Sequence, residues 1–137
     1  MHKHLTAMIA AGLLFAGSGS ALAHHPFSAE YDSTRPARLE GRVTKVDWGN
    51  PHSFITVKGR ADNGKEEKFK IELGSPHALE QKGWKRKTVK VGDEVTVMGW
   101  YSRHDHDRIN AQAVRINNNG RELDAASSFY STAAAGN

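Results

Sequence analysis

The sequence predicts an all-β domain that contains one short helix. Two kinds of pattern point to this class: short runs of alternating apolar and polar residues separated by Gly-, Asn- and Asp-rich turns, and one stretch with helix start and stop residues. The chain has 137 residues and no cysteine. We therefore expect one domain whose core is stable without disulfides.

A signal peptide is predicted at residues 1–23. Lys3 lies in its basic start, residues 7–15 are apolar, and residues 21–23 place small side chains at the cleavage site. The apolar run is too short to remain in a bilayer as a span. We therefore expect an exported, periplasmic protein with no membrane span after signal cleavage.

The folded domain is predicted at residues 37–122. It would follow an extended arm at residues 24–36, since Pro26 and Pro36 disfavour helix at the residues before them. A disordered tail is predicted at residues 123–137, because this segment is rich in Ala, Ser and Gly.

Three strands are predicted in the first half of the domain. The apolar residues of the first strand change parity near Thr44-Lys45, which indicates a bulge or sharp bend. A turn at Gly49-Asn50-Pro51 separates it from the second strand. The three strands cover residues 37–48, 53–58 and 69–73.

The helix is predicted directly after the third strand. Ser75 can cap it, Pro76 fits its first turn, and Gly83 can end it. A fourth strand, a polar loop and a fifth strand follow at residues 94–101, 102–108 and 109–116.

The order of three strands, one helix and two strands is that of an OB-fold, a five-stranded Greek-key β-barrel. A bend in the first strand fits this fold, because that strand serves both halves of the barrel. A small β-sandwich is the alternative. In an OB-fold, the loops between strands one and two and between strands four and five border the ligand-binding face.

Histidines occupy these connections and the predicted mature N-terminus. Cleavage after Ala23 would expose His24, whose α-amine and Nδ1 can bind one metal ion together, an arrangement called a histidine brace. A set of nitrogen ligands favours copper(II). A third nitrogen would come from His52, His104 or His106, with help from His25 or His77. Asp105 could orient a ligating ring.

Each histidine also has a structural alternative. His52 can hydrogen-bond within its turn, His77 can be a surface residue, and the loop containing His104 and His106 can be simply solvated. With these alternatives open, the sequence favours a copper-binding module for storage, delivery or sensing. Catalysis is the less favoured role, and no hydrolase motif is present.

A metal-free binding module is the second hypothesis. Aromatic and amide side chains could hold an oligosaccharide, a peptide or a partner protein, or could instead pack in the core; they are Trp48, Asn50, Trp84 and Trp100. The basic run at residues 82–90 suits an acidic partner, anionic lipid or polyanion, or is a solvated surface. It could dock an accessory subunit into an envelope complex. A periplasmic location argues against nucleic acid.

Several spaced motifs run along the chain: His24-His25-x-Phe27, Trp48-x-Asn50-Pro51-His52, Glu72-Leu73-Gly74-Ser75-Pro76 and Gly92-Asp93-x-Val95-x-Val97-x-Gly99. Together they resemble a family of small exported bacterial proteins of unknown function. The resemblance covers residues 24–122. It implies a periplasmic, single-domain β protein, and it implies no established activity.

Overall fold

The computed structural model describes residues 27–60 and 63–127. Within them the chain forms six β-strands and two short helices: α1 (Phe27–Glu30), β1 (Tyr31–Asp47), β2 (Phe54–Arg60), β3 (Glu66–Glu72), α2 (Pro76–Gln81), β4 (Glu94–Ser102), β5 (Arg108–Ile116) and β6 (Arg121–Asp124). The predicted signal peptide, His24 and His25 lie outside the described residues. No helix in the described ranges is long and apolar enough to span a membrane.

All six strands belong to one sheet with the order β3-β2-β1-β4-β5-β6. β3 also pairs in parallel with β5, from Lys70 opposite Arg108 to Glu72 opposite Asn110. This pairing closes β1, β2, β3, β5 and β4 into a ring of hydrogen-bonded neighbours. The predicted all-β class with a short helix is confirmed, and the ring has the predicted OB-like strand order. The alternative, a small β-sandwich, would have two separate sheets, whereas the described strands all belong to one sheet.

The first strand is long enough to serve two neighbours. β1 has 17 residues, and it pairs with β4 through its first part and with β2 through its second part. The register with β2 shifts between Val43 and Lys45, so the predicted bulge is confirmed. A bulge bends a strand and increases its twist, which lets β1 pass from one side of the ring to the other.

The core fills the inside of the ring. Each of its five strands contributes at least one side chain that is at most 1% exposed: Leu39, Val57, Ile71, Val97 and Ile109. Burying such a side chain stabilises a fold by roughly 1.5–3 kcal/mol. The ring and its core therefore hold the chain together without a disulfide.

The short helix α2 begins and ends as predicted. Ser75 Oγ accepts a hydrogen bond from the Ala78 backbone N–H at 3.2 Å, and Pro76 is the first helical residue. Gly83 follows with a φ of +86°, a conformation that favours glycine at a helix end. Leu79 is fully buried and fixes the helix to the core.

The N-terminal segment differs from the predicted extended arm in its described part. Residues Phe27–Glu30 form a single helical turn, and β1 begins at Tyr31 instead of Ala37. Phe27 is only 9% exposed, because it packs on Tyr31 and Trp100. The packing of the Phe27 ring therefore fixes the conformation of this segment. The prolines, which were the local signal in the sequence, indicated only that the segment would not be a regular helix.

The C-terminal segment is also more structured than predicted. Strand β6 (Arg121–Asp124) pairs with β5, and Leu123 and Ala125 are buried. The Gly74 backbone N–H donates to the Ala125 carbonyl at 3.0 Å. The disorder prediction rested on the small side chains of this segment. In the structure, these side chains allow the backbones at Gly74 and Ala125 to approach closely.

Candidate functional site

A buried carboxylate at the end of β3 is the centre of a polar cluster. Tyr31, at the start of β1, donates its hydroxyl to Glu72 Oε2 at 2.5 Å. Arg108, at the start of β5, donates from Nη2 to the same oxygen at 2.7 Å. His52 Nδ1 lies 2.9 Å from Glu72 Oε1. We call Tyr31, His52, Glu72 and Arg108 the Glu72 cluster.

The Glu72 cluster is held in one charge state by its own contacts. Burial alone would raise the pKa of Glu72, but hydrogen bonds from His52, Tyr31 and Arg108 outweigh it and lower the pKa to about 2. Burial and the charge of Glu72 raise the pKa of Tyr31, so its hydroxyl stays protonated. Glu72 is therefore an ionised carboxylate at neutral pH and only accepts hydrogen bonds.

This charge state determines the tautomer of His52. Because Glu72 only accepts, His52 Nδ1 carries the hydrogen, and in the neutral ring Nε2 carries the lone pair. A carboxylate on one ring nitrogen is the common support for a histidine that ligates metal through the other. The adjacent backbone is fixed as well: Ser53 N–H donates to Gly74 O at 3.0 Å, and Leu73 N–H donates to Ser53 O at 2.9 Å.

Two polar atoms beside Glu72 lack a hydrogen-bond partner within the described part of the chain. They are Arg108 Nε and Asn110 Oδ1, and Asn110 lies opposite Glu72 in the β3–β5 register. Asn110 is 1% exposed. The described protein groups around Glu72 therefore do not satisfy the hydrogen-bonding capacity of these two buried atoms.

Aromatic rings attach α1 to the Glu72 cluster. Phe27 stacks on Tyr31 with ring centroids 5.4 Å apart, and its edge-to-face contact with Trp100 has a centroid distance of 5.6 Å. The Arg108 guanidinium carbon lies 5.8 Å from the centre of the Tyr31 ring. The first described residue, Phe27, therefore stacks directly on a member of the cluster, Tyr31.

The loop between β4 and β5 holds α1 from its other side. Arg103 donates from its backbone N–H to Glu30 O at 2.9 Å and from Nε to Ser28 O at 2.8 Å. His104 Nε2 lies 3.0 Å from the Ala29 carbonyl. A carbonyl can only accept, so Nε2 carries the hydrogen, and His104 would ligate a metal through Nδ1.

The remaining predicted ligands lie elsewhere. His106 Nε2 is 3.5 Å from Glu67 Oε2. Glu67 precedes Glu72 by five residues on β3, so the two glutamates are roughly 16 Å apart along the strand. His77 Nε2 is 3.0 Å from the Gln81 amide on α2. Asp105 is exposed, and its backbone N–H donates to Ser102 Oγ. In residues 27–60 and 63–127, no three His, Asp or Glu side chains are grouped closely enough to hold a metal.

The predicted ligand-face residues are spread over the molecule. Trp84 is 2% exposed and donates from Nε1 to Asp124 O at 2.7 Å. Trp48 is half-buried against the same core and lines a cavity together with Trp84. Trp100 instead contacts Phe27, and Asn50 is exposed. The three tryptophans therefore do not form one stacking surface.

Tyr31, Glu72 and Arg108 belong to the site, although the sequence did not indicate them as site residues. Glu72 is part of the motif Glu72-Leu73-Gly74-Ser75-Pro76, which was the available signal. Its partners Tyr31 and Arg108 are 41 and 36 residues away in sequence, so no local spacing connects the three.

The fold and the site define a small all-β protein with a buried carboxylate cluster at one end of its strand ring. The sequence profile of a family of unknown function, DUF6152, matches residues 11–110, and the chain belongs to this family. No curated protein is significantly similar to it.

A similar solved structure is the crystal structure of the ZRD-deleted mutant of TiaS in complex with agmatine. It is 23% identical to this chain, with a TM-score of 0.45, and the match covers 69% of this chain and 23% of that one. The chain thus spans less than a quarter of that protein's length, and a similarity this distant does not indicate a function.

Proposed function

We propose that this protein is a periplasmic copper-binding module for storage, delivery or sensing. His24, exposed by signal cleavage, would supply its amine and Nδ1, and His52 would supply Nε2. The observation that carries the proposal is the contact of His52 Nδ1 with the ionised Glu72 carboxylate at 2.9 Å. This contact directs a metal-binding lone pair to His52 Nε2 and supplies negative charge behind the ring.

The length of the chain between His24 and Phe27 supports the pairing of these ligands. Phe27 is held by Tyr31 and Trp100, and His24 is three residues before it. Three residues span at most roughly 10 Å. The amine of His24 therefore has to stay in the neighbourhood of Phe27, whose stacking partner Tyr31 is bonded to Glu72.

The donor set suits copper(II) better than a hard cation. One amine and two imidazole nitrogens are ligands that copper(II) binds with high affinity. His104 is a second candidate for the third position, through Nδ1, because its Nε2 already faces Ala29 O. His25 can assist from its position next to His24. His77 and His106, which contact Gln81 and Glu67, serve as control positions.

Copper(II) titration into processed protein tests the proposal. The N-terminus is first confirmed as His24 by mass spectrometry. We expect tight binding and nitrogen hyperfine structure in the electron paramagnetic resonance spectrum. One extra residue before His24, or His52→Asn, should weaken binding at least about tenfold, which is about 1.4 kcal/mol. His77→Asn is the matched control and should bind as the unsubstituted protein does.

The outcomes separate the alternatives. Asn at residue 52 keeps a side-chain N–H that can face Glu72, and urea unfolding shows whether that variant is folded. Equal affinity of the extended and processed proteins would refute the brace. If copper binds neither the processed, unsubstituted protein nor any variant, the copper proposal fails. The protein is then a metal-free module or an accessory subunit that recognises an oligosaccharide, peptide or partner protein.

A further inference from the structure

A groove lies on the outer surface of the domain, between the end of β1 and the connector from α2 to β4. Val46, Trp48, Val89 and Val91 supply its apolar lining, and we call it the connector groove. Val91 is 65% exposed and is the large apolar side chain that stands out on the surface of the described residues. A single exposed apolar side chain is common on protein surfaces, but its place in an apolar lining rimmed by charged residues points to an interaction site.

A narrow internal gap adjoins the connector groove at Trp48. The gap shares Val46, Trp48 and Val89 with the groove and reaches Leu73 and Trp84. Ser53 lines this gap. It is 1% exposed, and its hydroxyl has no hydrogen-bond partner among the residues described.

Positive charge surrounds the connector groove. Arg86, Lys87 and Lys90 line it and are exposed. Their side chains form none of the ion pairs found between described residues, whereas nearby Lys82 is bound to Asp124 at 3.0 Å. The groove therefore combines an apolar floor with three uncompensated cations, and its complement is an acidic chain with an apolar anchor.

We propose that the connector groove binds an acidic peptide segment of a partner protein. The segment inserts one apolar side chain against Trp48 and Val91, and its carboxylates pair with Arg86, Lys87 and Lys90. The concave floor favours a peptide over a lipid surface, because a helix or loop that binds a membrane projects apolar side chains outward. A charged polysaccharide would use the cations but would leave the apolar floor empty.

Fluorescence anisotropy with a labelled peptide tests this proposal. The probe is a short peptide with one Phe flanked on both sides by Glu, and its partner has Ser in place of Phe. We expect the Phe peptide to bind at least about tenfold more tightly than the Ser peptide. Val91→Ser, a change at an exposed position, should reduce binding of the Phe peptide to the level of the Ser peptide.

Charge reversal supplies a matched control. The double variant Lys87→Glu/Lys90→Glu should weaken binding at least about tenfold, whereas Lys65→Glu/Lys68→Glu, with the same net charge, should not. An equal loss of peptide affinity in both double variants would refute a specific site. Equal affinity for the Phe and Ser peptides would also refute it. Tighter binding to anionic phospholipid vesicles than to the peptide would refute it in favour of a membrane surface.

This site is independent of the copper proposal. Lys87→Glu/Lys90→Glu should leave copper(II) affinity unchanged, and His52→Asn should leave peptide affinity unchanged. Each proposal can therefore fail without the other.

Discussion

Replacing Glu72 with Gln tests the energetic role of the Glu72 cluster. The pKa of this carboxyl is lowered from an ordinary value of 4.5 to about 2. A difference of about 2.5 pH units, at about 1.4 kcal/mol per unit, corresponds to about 3 kcal/mol of stabilisation from the ionised form. Glu72→Gln keeps the shape but removes the charge beside Arg108. We therefore expect a loss of about 3 kcal/mol in the free energy of unfolding at neutral pH.

The pH dependence of this loss follows from the direction of the shift. Between pH 4.5 and about 2 the folded protein holds fewer protons on Glu72 than the unfolded chain does. The stabilisation is therefore complete above pH 4.5 and disappears as the pH falls towards about 2. Urea unfolding, followed by tryptophan fluorescence across this range, should show the difference between Glu72→Gln and the unsubstituted protein shrinking to less than about 1 kcal/mol.

Glu67→Gln is the matched control on the same strand. Glu67 is 26% exposed and lies 3.5 Å from an exposed histidine, His106, so its replacement should cost less than about 1 kcal/mol. Two results would refute the reasoning: a loss for Glu72→Gln no larger than that of the control, or a loss that stays constant from neutral to acidic pH.

Three further substitutions, one of them a control, test the packing of the fold by the same unfolding measurement. Gly99→Ala would bring a Cβ within 1.9 Å of the Asn110 carbonyl oxygen, and we expect a loss of about 3 kcal/mol or more. Gly49→Ala, where a Cβ meets nothing within 4 Å, should change stability by less than about 0.5 kcal/mol; a similar cost at both glycines would contradict the steric argument. Trp84→Phe removes the indole N–H that donates to Asp124 O and should cost about 1–2 kcal/mol, and an unchanged stability would show that this bond contributes nothing.

The features that depend on local sequence could be predicted from it. The cap at Ser75 and the end at Gly83 follow from backbone hydrogen bonding and from a positive φ, both of which involve a few neighbouring residues. The bulge between Val43 and Lys45 could be predicted because a parity change alters which side chains face the core. The order of the strands in the ring could be predicted because three strands, a helix and two strands follow one another along the chain as in an OB-fold.

The features that depend on distant partners could not be predicted. The contacts of Glu72 with Tyr31 and Arg108 exist because the ring closes through the β3–β5 pairing, which brings together strands far apart in sequence. The order of the elements predicted a closed ring, but a single sequence gives no signal for the register of the β3–β5 pairing, which decides which side chains meet. The prediction of histidine ligands considered side-chain chemistry alone, and it placed His106 in the same set as His52, although His106 faces Glu67.

The ends of the chain show a related limit. Composition predicted an unstructured tail, yet Ala125 and Ala126 are buried, because small residues fit where two backbones approach closely. The backbone N–H of Gly74 donates to Ala125 O, and the Lys82 ammonium donates to Ala126 O at 2.8 Å. Alanine-rich composition therefore accompanies close packing here.

The closed ring also affects how the protein opens and what it can join. Each of its five strands has a hydrogen-bonded neighbour on both sides, so no single one can peel away without breaking two ladders. Deuterium should therefore enter the central amides of Val57, Val97 and Ile109 through concerted, whole-domain opening. In the described sheet, two edges remain for intermolecular strand addition. One is the short strand β6 (Arg121–Asp124), which pairs with β5 alone; the other is the first part of β3, because β3 pairs with β5 only from Lys70 to Glu72.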